Sequence, residues 1–476
     1  MSHLSRNLAG LLLVTAACVQ PPVAPPQPIV PPDRGAVLYT GARLVVGDGR
    51  VIEGAALVVQ NGLVVEIGRA AGVRAERAAV VDLTGKTIMP AIVNAHSHLG
   101  WERYTDWGSR YFTRENLIDH LHRHAYYGVG TVISTASDKE TIGLQVALDQ
   151  RLGRIGGARY VVQPGLGTPG GGPNPNFTAD SGWWRGGDGF YEVTSAAQAR
   201  AAVRAEAAKG IQTMKIWVDS RDERRGAKVK LSPEVYLAAV QEALVHDIRL
   251  LVHAPAVEDH KILLRAGVRR LIHGPSQIDE EWIALMKEKH AYLIPTTQSS
   301  FRDPAFYEDP FFREHVSPTV IARLADPRNL GPIGAQQGSS GGAASPVSRE
   351  VADQRARERF TRMVSEGIQI ILGADVGWGP TATHVGSFFG YAEHLELAAF
   401  VRLGMTPAQA IAAGTARPAE AFGLRDVGSL EAGKSADFVV LDGNPLDDIA
   451  HMRRIDRVYL RGDEVDRVAL RSAWTK

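Results

Sequence analysis

The chain of 476 residues contains one cysteine, Cys18, so no intramolecular disulfide can brace the fold in any compartment. It also carries almost no net charge: 53 Lys+Arg against 52 Asp+Glu leave a formal +1, which selects no class of partner. No basic patch with interleaved aromatics is present, which argues against nucleic acid as a partner. The apolar run near the N-terminus, Leu8 to Ala17, falls short of the roughly 20 residues that a bilayer-spanning helix needs. What remains is an ordinary globular composition, 45% hydrophobic and 22% charged, long enough for one barrel and a smaller domain.

The N-terminal run has its own reading. Arg6 precedes it and the small residues Ala16-Ala17 precede Cys18, the layout of an export signal over residues 1–17. Thr15-Ala16-Ala17-Cys18 resembles a bacterial lipobox with threonine where leucine is usual, and ordinary signal cleavage at the same bond is the alternative. The expectation is an exported, periplasmic protein anchored through lipidated Cys18, with the Pro-rich residues 18–35 as an extended tether.

The chain's chemistry starts at Ile88-Met89-Pro90-Ala91-Ile92-Val93-Asn94-Ala95-His96-Ser97-His98, an apolar run ending in two histidines one residue apart. Alternate residues of a strand share a face, so His96 and His98 point the same way. Taken alone the pair fits two core histidines as well as two metal ligands. Four further apolar runs also carry or end in a donor: Lys215 in Gln212–Trp217, His253 after Leu250–Val252, His273 after Arg270–Ile272, and Asp375 after Ile370–Ala374. Helical stretches separate these runs, which predicts a parallel α/β sheet, and a (β/α)₈ TIM-like barrel builds its site from such strand ends. Strand parity puts Met214, Ile216 and Val218 toward the helices and Thr213, Lys215 and Trp217 toward the interior. A lysine there must be neutralised or paired.

These motifs together resemble the amidohydrolase superfamily, the urease-like metal-dependent hydrolases, over nearly all of the chain from Ala36. Within it, His394-Leu395-Glu396-Leu397, Leu403-Gly404-Met405-Thr406-Pro407 and Gly433-Lys434-Ser435-Ala436-Asp437 are similar to the branch of imidazolonepropionase-like enzymes and Xaa-Pro dipeptidases. The resemblance implies that His96 and His98 bind one metal and that His253 and His273 bind a second. It further implies that a carboxylated Lys215 bridges the two and that Asp375 completes the first site. A lysine paired with Asp375 over a single metal is the alternative. Histidine and carboxylate donors without thiolate suit zinc, with manganese, iron or cobalt also acceptable, and the expectation is two Zn²⁺ per chain. The predicted reaction is hydrolysis of an amide or peptide C–N bond by a metal-bound hydroxide, with Asp375 as general base and then general acid.

Two departures from the dipeptidase pattern argue against a dipeptide substrate: His253-Ala254-Pro255 replaces His-Ala-His, and Val162-Gln163-Pro164-Gly165 has no histidine. The expected substrate is a small amide or short peptide-like molecule. The alternatives are a mononuclear hydrolase or deaminase of a cyclic C–N bond, and a non-catalytic membrane-tethered binder. The binder is disfavoured because it needs no proton carrier, yet Asp375 is intact.

The remaining segments fill in the organisation. Short β runs over residues 36–87, with the hairpin turn Gln60-Asn61-Gly62, and again over 425–476 predict one β-sandwich built from both ends of the chain, flanking a barrel over 88–424. Ser195–Gln198 and Thr406–Gln409 read as capping boxes and Ser232-Pro233 as a helix start. His120, His122 and His124 fall on one predicted helix, whose histidines are expected on its solvated outer face. Gly165-Leu166-Gly167-Thr168-Pro169-Gly170 matches a dinucleotide fingerprint, but the Gly-Gly-Pro that follows forbids the helix it requires. Residues 164–190 are expected to form a long loop over the barrel mouth that brings Trp183, Trp184 and Arg185 to the substrate, and 330–346 a second loop. His384 matches a family histidine nine residues after Asp375.

Overall fold

The computed structural model describes residues 35–103, 106–169, 188–219, 230–275, 277–297, 306–326, 349–377 and 388–476. Cys18, Trp183, Trp184, Arg185 and His384 lie outside the described residues, as do residues 1–34 with the predicted export signal and most of the tether.

The first part of the chain is β structure: β1 (Val37–Val45), β2 (Val51–Gln60), β3 (Leu63–Arg69), β4 (Ala79–Asp82) and β5 (Thr87–Pro90). The β2–β3 turn is tight because Asn61 and Gly62 both take positive φ, 53° and 79°. Three strands from the far end, β18 (Phe438–Leu441), β19 (Ile455–Leu460) and β20 (Asp463–Glu464), join them in one eight-stranded sheet of order β20-β19-β18-β5-β1-β2-β3. The expected sandwich is thus hydrogen-bonded as a single sheet that branches at β1. Register shifts around Ala42 let Val37–Thr40 pair with β4 while Arg43 and Leu44 pair with β5. Alternation then divides the strands between two cores: Leu44, Ile88, Phe438 and Val440 pack with Tyr39 and Tyr459, whereas Val45, Met89, Val439 and Leu441 join the main core.

One residue, Ala91, separates β5 from β6 (Ile92–Ser97), where the all-parallel ladders begin. A short hairpin, β7 (Glu102–Arg103) with β8 (Asp106–Trp107), leads to α1 (Arg114–Tyr126), capped by Thr113, whose side chain accepts from the Asn116 amide. Then follow β9 (Val129–Thr135), α2 (Glu140–Arg151), β10 (Arg159–Gln163), β11 (Gly165–Gly167), β12 (Phe190–Glu192), α3 (Ala196–Ala208), β13 (Thr213–Trp217), α4 (Pro233–Val245), β14 (Arg249–His253), α5 (Val257–Arg265), β15 (Arg270–Ile272), α6 (Glu280–Glu288) and β16 (Tyr292–Ile294). After α7 (Pro310–Arg313), α8 (Pro318–Leu324) and α9 (Arg349–Ser365) come β17 (Gln369–Ile370), α10 (Tyr391–Arg402), α11 (Pro407–Gly414) and α12 (Ala416–Phe422), with α13 (Arg467–Trp474) at the C-terminus. Thr406 and Gln409 form the full reciprocal box at α11. At α3 only half of it forms, since the Gln198 side chain accepts from the Thr194 amide rather than that of Ser195.

The parallel strands run in two ladders, β10-β9-β6 and β12-β11-β13-β14-β15-β16-β17. Their residues read as apolar runs because both faces are covered, and every residue of β6, β9 and β13 is buried. The ladders meet at both ends. Pro164, which has no amide hydrogen, breaks one strand into β10 and β11, and its carbonyl accepts from Lys215 N at 2.8 Å, so β10 leads on into the β11–β13 pair. Gly165 is required there, since a Cβ would sit 2.4 Å from Ala136 Cβ and 2.8 Å from the Trp217 ring. Residues 165–167 therefore belong to a strand rather than to the mouth loop that was expected to begin at 164. At the other end the segment after β17 pairs with β6 through Ala95 N to Leu372 O (3.1 Å), Asp375 N to His96 O (2.9 Å) and His98 N to Val376 O (2.7 Å). Gly373 permits this approach, because a Cβ would meet His96 Cβ at 2.6 Å.

One expectation fails. The α1 histidines do not form a solvated face: His120 and His124 are 2% and 0% exposed and His122 is half-buried. The cause is non-local, because Phe389, just ahead of α10, stacks on His120 with ring centroids 4.1 Å apart, and Glu393 of α10 lies 3.0 Å from His124 Nε2. His120 is satisfied as a neutral ring, its Nδ1 accepting from Gly100 N (3.0 Å) and its Nε2 lying 2.9 Å from the Glu102 carbonyl. Burial pushes its pKa down to about 3.

Candidate metal centre

The strand ends bring His96, His98, Lys215, His253, His273 and Asp375 together. His98 directly follows β6, Lys215 is central in β13, His253 closes β14, and His273 directly follows β15. Asp375 follows the short β17 segment and is fixed by its own amide bond to the His96 carbonyl. His273, Asp375 and Thr296 all adopt left-handed backbone, with φ of 55°, 52° and 52°. Such conformations cost of order 1–3 kcal/mol each outside glycine and gather where a site demands them.

Asp375 is the hub. Its Oδ1 lies 3.4 Å from His96 Nε2 and 3.2 Å from His98 Nε2, while Oδ2 lies 3.9 Å from His273 Nε2. One ligand atom each from His96, His273 and Asp375 falls within 4.8 Å of the others, spacing suited to a shared metal ion. Lys215 Nζ, in a side chain 1% exposed, stands 3.1 Å from His96 Nε2 and 4.4 Å from the Trp217 ring centroid. His253 stands beside His273, ring centroids 4.8 Å apart, but its Nε2 contacts Asp219 Oδ2 at 2.8 Å.

Hydroxyls behind the rings orient them. His98 Nδ1 is 3.1 Å from Ser137 Oγ and His273 Nδ1 is 2.7 Å from Thr296 Oγ1, which turns each Nε2 toward Asp375. His96 turns its Nε2 to Asp375 and Lys215, while its buried Nδ1 has no hydrogen-bond partner among the described residues. Burial pushes His98 down to about 4 and His96 well below the ordinary histidine value, against the pull of Asp375. For Asp375, burial pushes upward, but the His96, His98 and His273 rings outweigh it and hold the carboxyl well below its usual range. Histidine nitrogens and a carboxylate oxygen converging within 4.8 Å are the donor types that a divalent ion takes, so the donor set fits one.

Four polar residues in contact with this set escaped the sequence reading. Asp219 continues the inward alternation of Lys215 and Trp217 and could have been found that way. Asn94 shares the parity of His96 and His98. Ser137 and Thr296 come from turns with no periodic signal. Gly165 and Gly167 lie in β11 rather than at a helix start, so the glycine pattern there is not a nucleotide site.

Comparisons with known proteins agree with this geometry. A model of the amidohydrolase family matches residues 87–465. The imidazolonepropionase of Deinococcus radiodurans is 26% identical over 454 residues, covering 91% of this chain and 96% of its own length. The ochratoxinase of Aspergillus niger is 28% identical over 454 residues, covering 87% and 82% of the two chains. The crystal structure of a Xaa-Pro dipeptidase superimposes with a TM-score of 0.68 at 21% identity, covering 90% of this chain and 99% of its own, which implies a TIM-barrel-type fold. Amidohydrolases generally depend on divalent metal, and His96, His273 and Asp375 can hold such an ion. The chain belongs to the amidohydrolase family and is a hydrolase of carbon–nitrogen bonds.

Proposed function

We propose that the chain hydrolyses the C–N bond of a small amide or short peptide-like substrate with His96, His98, Lys215, His253, His273 and Asp375 holding two zinc ions. The supporting observation is the convergence of four histidines, a buried lysine and an aspartate held ionised at the C-terminal ends of parallel strands. On this reading β6, β9, β10–β11, β13, β14, β15, β16 and β17 close as a (β/α)₈ barrel, and the sheet from the two chain ends forms a small β domain beside it.

A divalent metal held by these residues would supply a water of lowered pKa and a Lewis acid for the substrate carbonyl. The two oxygens of Asp375 face different histidines, so one can ligate while the other accepts a proton and then returns it to the leaving nitrogen. Lys215 would lose its ammonium proton and condense through the neutral Nζ with carbon dioxide, releasing a second proton and becoming a carbamate. This exchanges a costly buried cation for an anion able to bridge two metals. Ser137 and Thr296 hold His98 and His273 in the ring orientations that ligation needs.

A single-metal site, as in a hydrolase of cyclic C–N bonds, is the second reading. The His253–Asp219 contact favours it, since that bond occupies the nitrogen that a second metal would take. Imidazolonepropionase by name acts on an imidazolone, and ochratoxinase by name on ochratoxin. Elemental analysis of metal per chain, with turnover of a panel of N-acyl amino acids and lactams, separates the two. Two metals with amide turnover support the first, one metal with lactam turnover the second, and no turnover by metal-loaded protein refutes both. We also propose that the enzyme is held outside the cytoplasm by a lipid attached at Cys18, a reading supported by the lipobox-like Thr15-Ala16-Ala17-Cys18.

A further inference from the structure

Three buried polar side chains lie behind the centre and take no part in ligation or proton transfer. His124 of α1 and Glu393 of α10 are both fully buried, with Nε2 and Oε1 3.0 Å apart. His124 Nδ1 lies 2.8 Å from the His120 carbonyl, which can only accept, so that nitrogen carries a hydrogen and Nε2 is the atom turned to the carboxylate. Glu393 Oε1 also accepts from Asn94 Nδ2 at 2.6 Å. On its other side Asn94 Oδ1 accepts two backbone amides, His96 N at 3.0 Å and Ala374 N at 3.3 Å.

This arrangement fixes the amide's orientation, since Glu393 Oε1 accepts on one side and two N–H groups donate on the other. One carbonyl oxygen therefore staples the peptide of His96 to the peptide just before Asp375, across 280 residues of sequence from Asn94 to Ala374. The pairing of β6 with β9 slips between Asn94 and Ser97, so on its other edge the Asn94 bonds add to the backbone bond from Asp375 N to the His96 carbonyl at 2.9 Å. A buried histidine–carboxylate contact is a poor source of stability, so Glu393 and His124 need another reason to be where they are.

We propose that Glu393 and His124 are positioning residues for the metal centre, acting through Asn94 to fix His96 relative to Asp375. The proposal rests on the metal-binding reading of that centre. Partners behind metal ligands typically contribute 10–100-fold to metal affinity, and this network reaches two ligands at once.

The test is Zn²⁺ affinity by chelator competition on the full chain, after metal removal. The proteins compared are the native chain, Glu393→Gln, Asn94→Ala, their double variant and His394→Gln. Glu393→Gln should bind Zn²⁺ about 10-fold or more weakly. The double variant should be no weaker than the worse single one, because Glu393→Gln weakens the acceptor, and Asn94→Ala removes the donor, of the same link. His394 sits beside Glu393 on α10 but faces the Tyr127 carbonyl, 2.9 Å from its Nε2, so His394→Gln disturbs the helix without touching the staple and should keep native affinity. Native affinity in Glu393→Gln, multiplied losses in the double variant, or an equal loss in His394→Gln overturns the proposal. Should Glu393→Gln fail to fold, His124→Gln stands in its place under the same criteria. A native chain that binds no Zn²⁺ refutes the metal reading itself, whereas native binding with undiminished variants refutes only the positioning role.

Discussion

Asp375→Asn separates ligation from proton transfer. The substitution is nearly isosteric, so the contacts around Asp375, with Nε2 of His96 and His98 at 3.4 and 3.2 Å and of His273 at 3.9 Å, stay geometrically possible. Asparagine keeps one oxygen that can ligate, but it cannot take up a proton at neutral pH. Metal content should therefore be largely retained while kcat falls by at least ~10²-fold, the lower end of what a positioned acid/base contributes, equivalent to about 2.7 kcal/mol of barrier. The assay is turnover at matched metal content, established by elemental analysis of the same preparation. The pH dependence supplies a second arm. A carboxyl held below its usual range is active above its pKa and loses activity only as pH falls through it. Protonation of Asp375 should thus cost native activity only below about pH 4, the ordinary carboxylate value. Near-normal turnover by Asp375→Asn with metal bound refutes its role as proton carrier, and His384 becomes the first candidate to replace it.

Lys215→Ala should lose the second metal and regain part of it, with part of the activity, when short carboxylates are added to fill the vacated space; full metal and normal rate would favour the single-metal site. Folding stability should fall in acid. Burial holds His120, His260, His315 and His394 at about 3, 4, 3 and 4, so the unfolded chain takes up protons below about 6.5 that the native fold refuses. Asp138, pushed by burial up to about 7, works in the opposite sense over the same window and cancels one of the four. The contribution of these five groups should approach about 4 kcal/mol per pH unit well below pH 6, read from urea midpoints, and a flat profile would contradict neutral buried rings. Cys18→Ala should move the protein from the membrane fraction to the soluble periplasm, and a native protein already soluble would end the lipid-anchor reading.

The strand ends were legible because their signal is local. Each donor terminates or interrupts an apolar run, and parity within one strand decides which way Lys215 or His96 points without reference to any other segment. Sheet branching at Ala42 and the Pro164 break were not legible for the opposite reason. A bulge and a change of ladder depend on which strand arrives alongside, and Gly165 makes sense only once Ala136 and Trp217 are known to crowd it. The α1 histidines make the same point more sharply. Read along one helix they look like a polar face, yet the groups that bury them, Phe389 and Glu393, come from roughly 270 residues away. Periodicity reports how a segment meets a surface, whereas a buried histidine is defined by its partners. The same limit hid Ser137 and Thr296, which reach His98 and His273 from turns whose left-handed residues, Ala136 and Thr296 itself, have no spacing to betray them. Donors carried by strands can thus be read one segment at a time, while the groups that orient those donors belong to the fold as a whole.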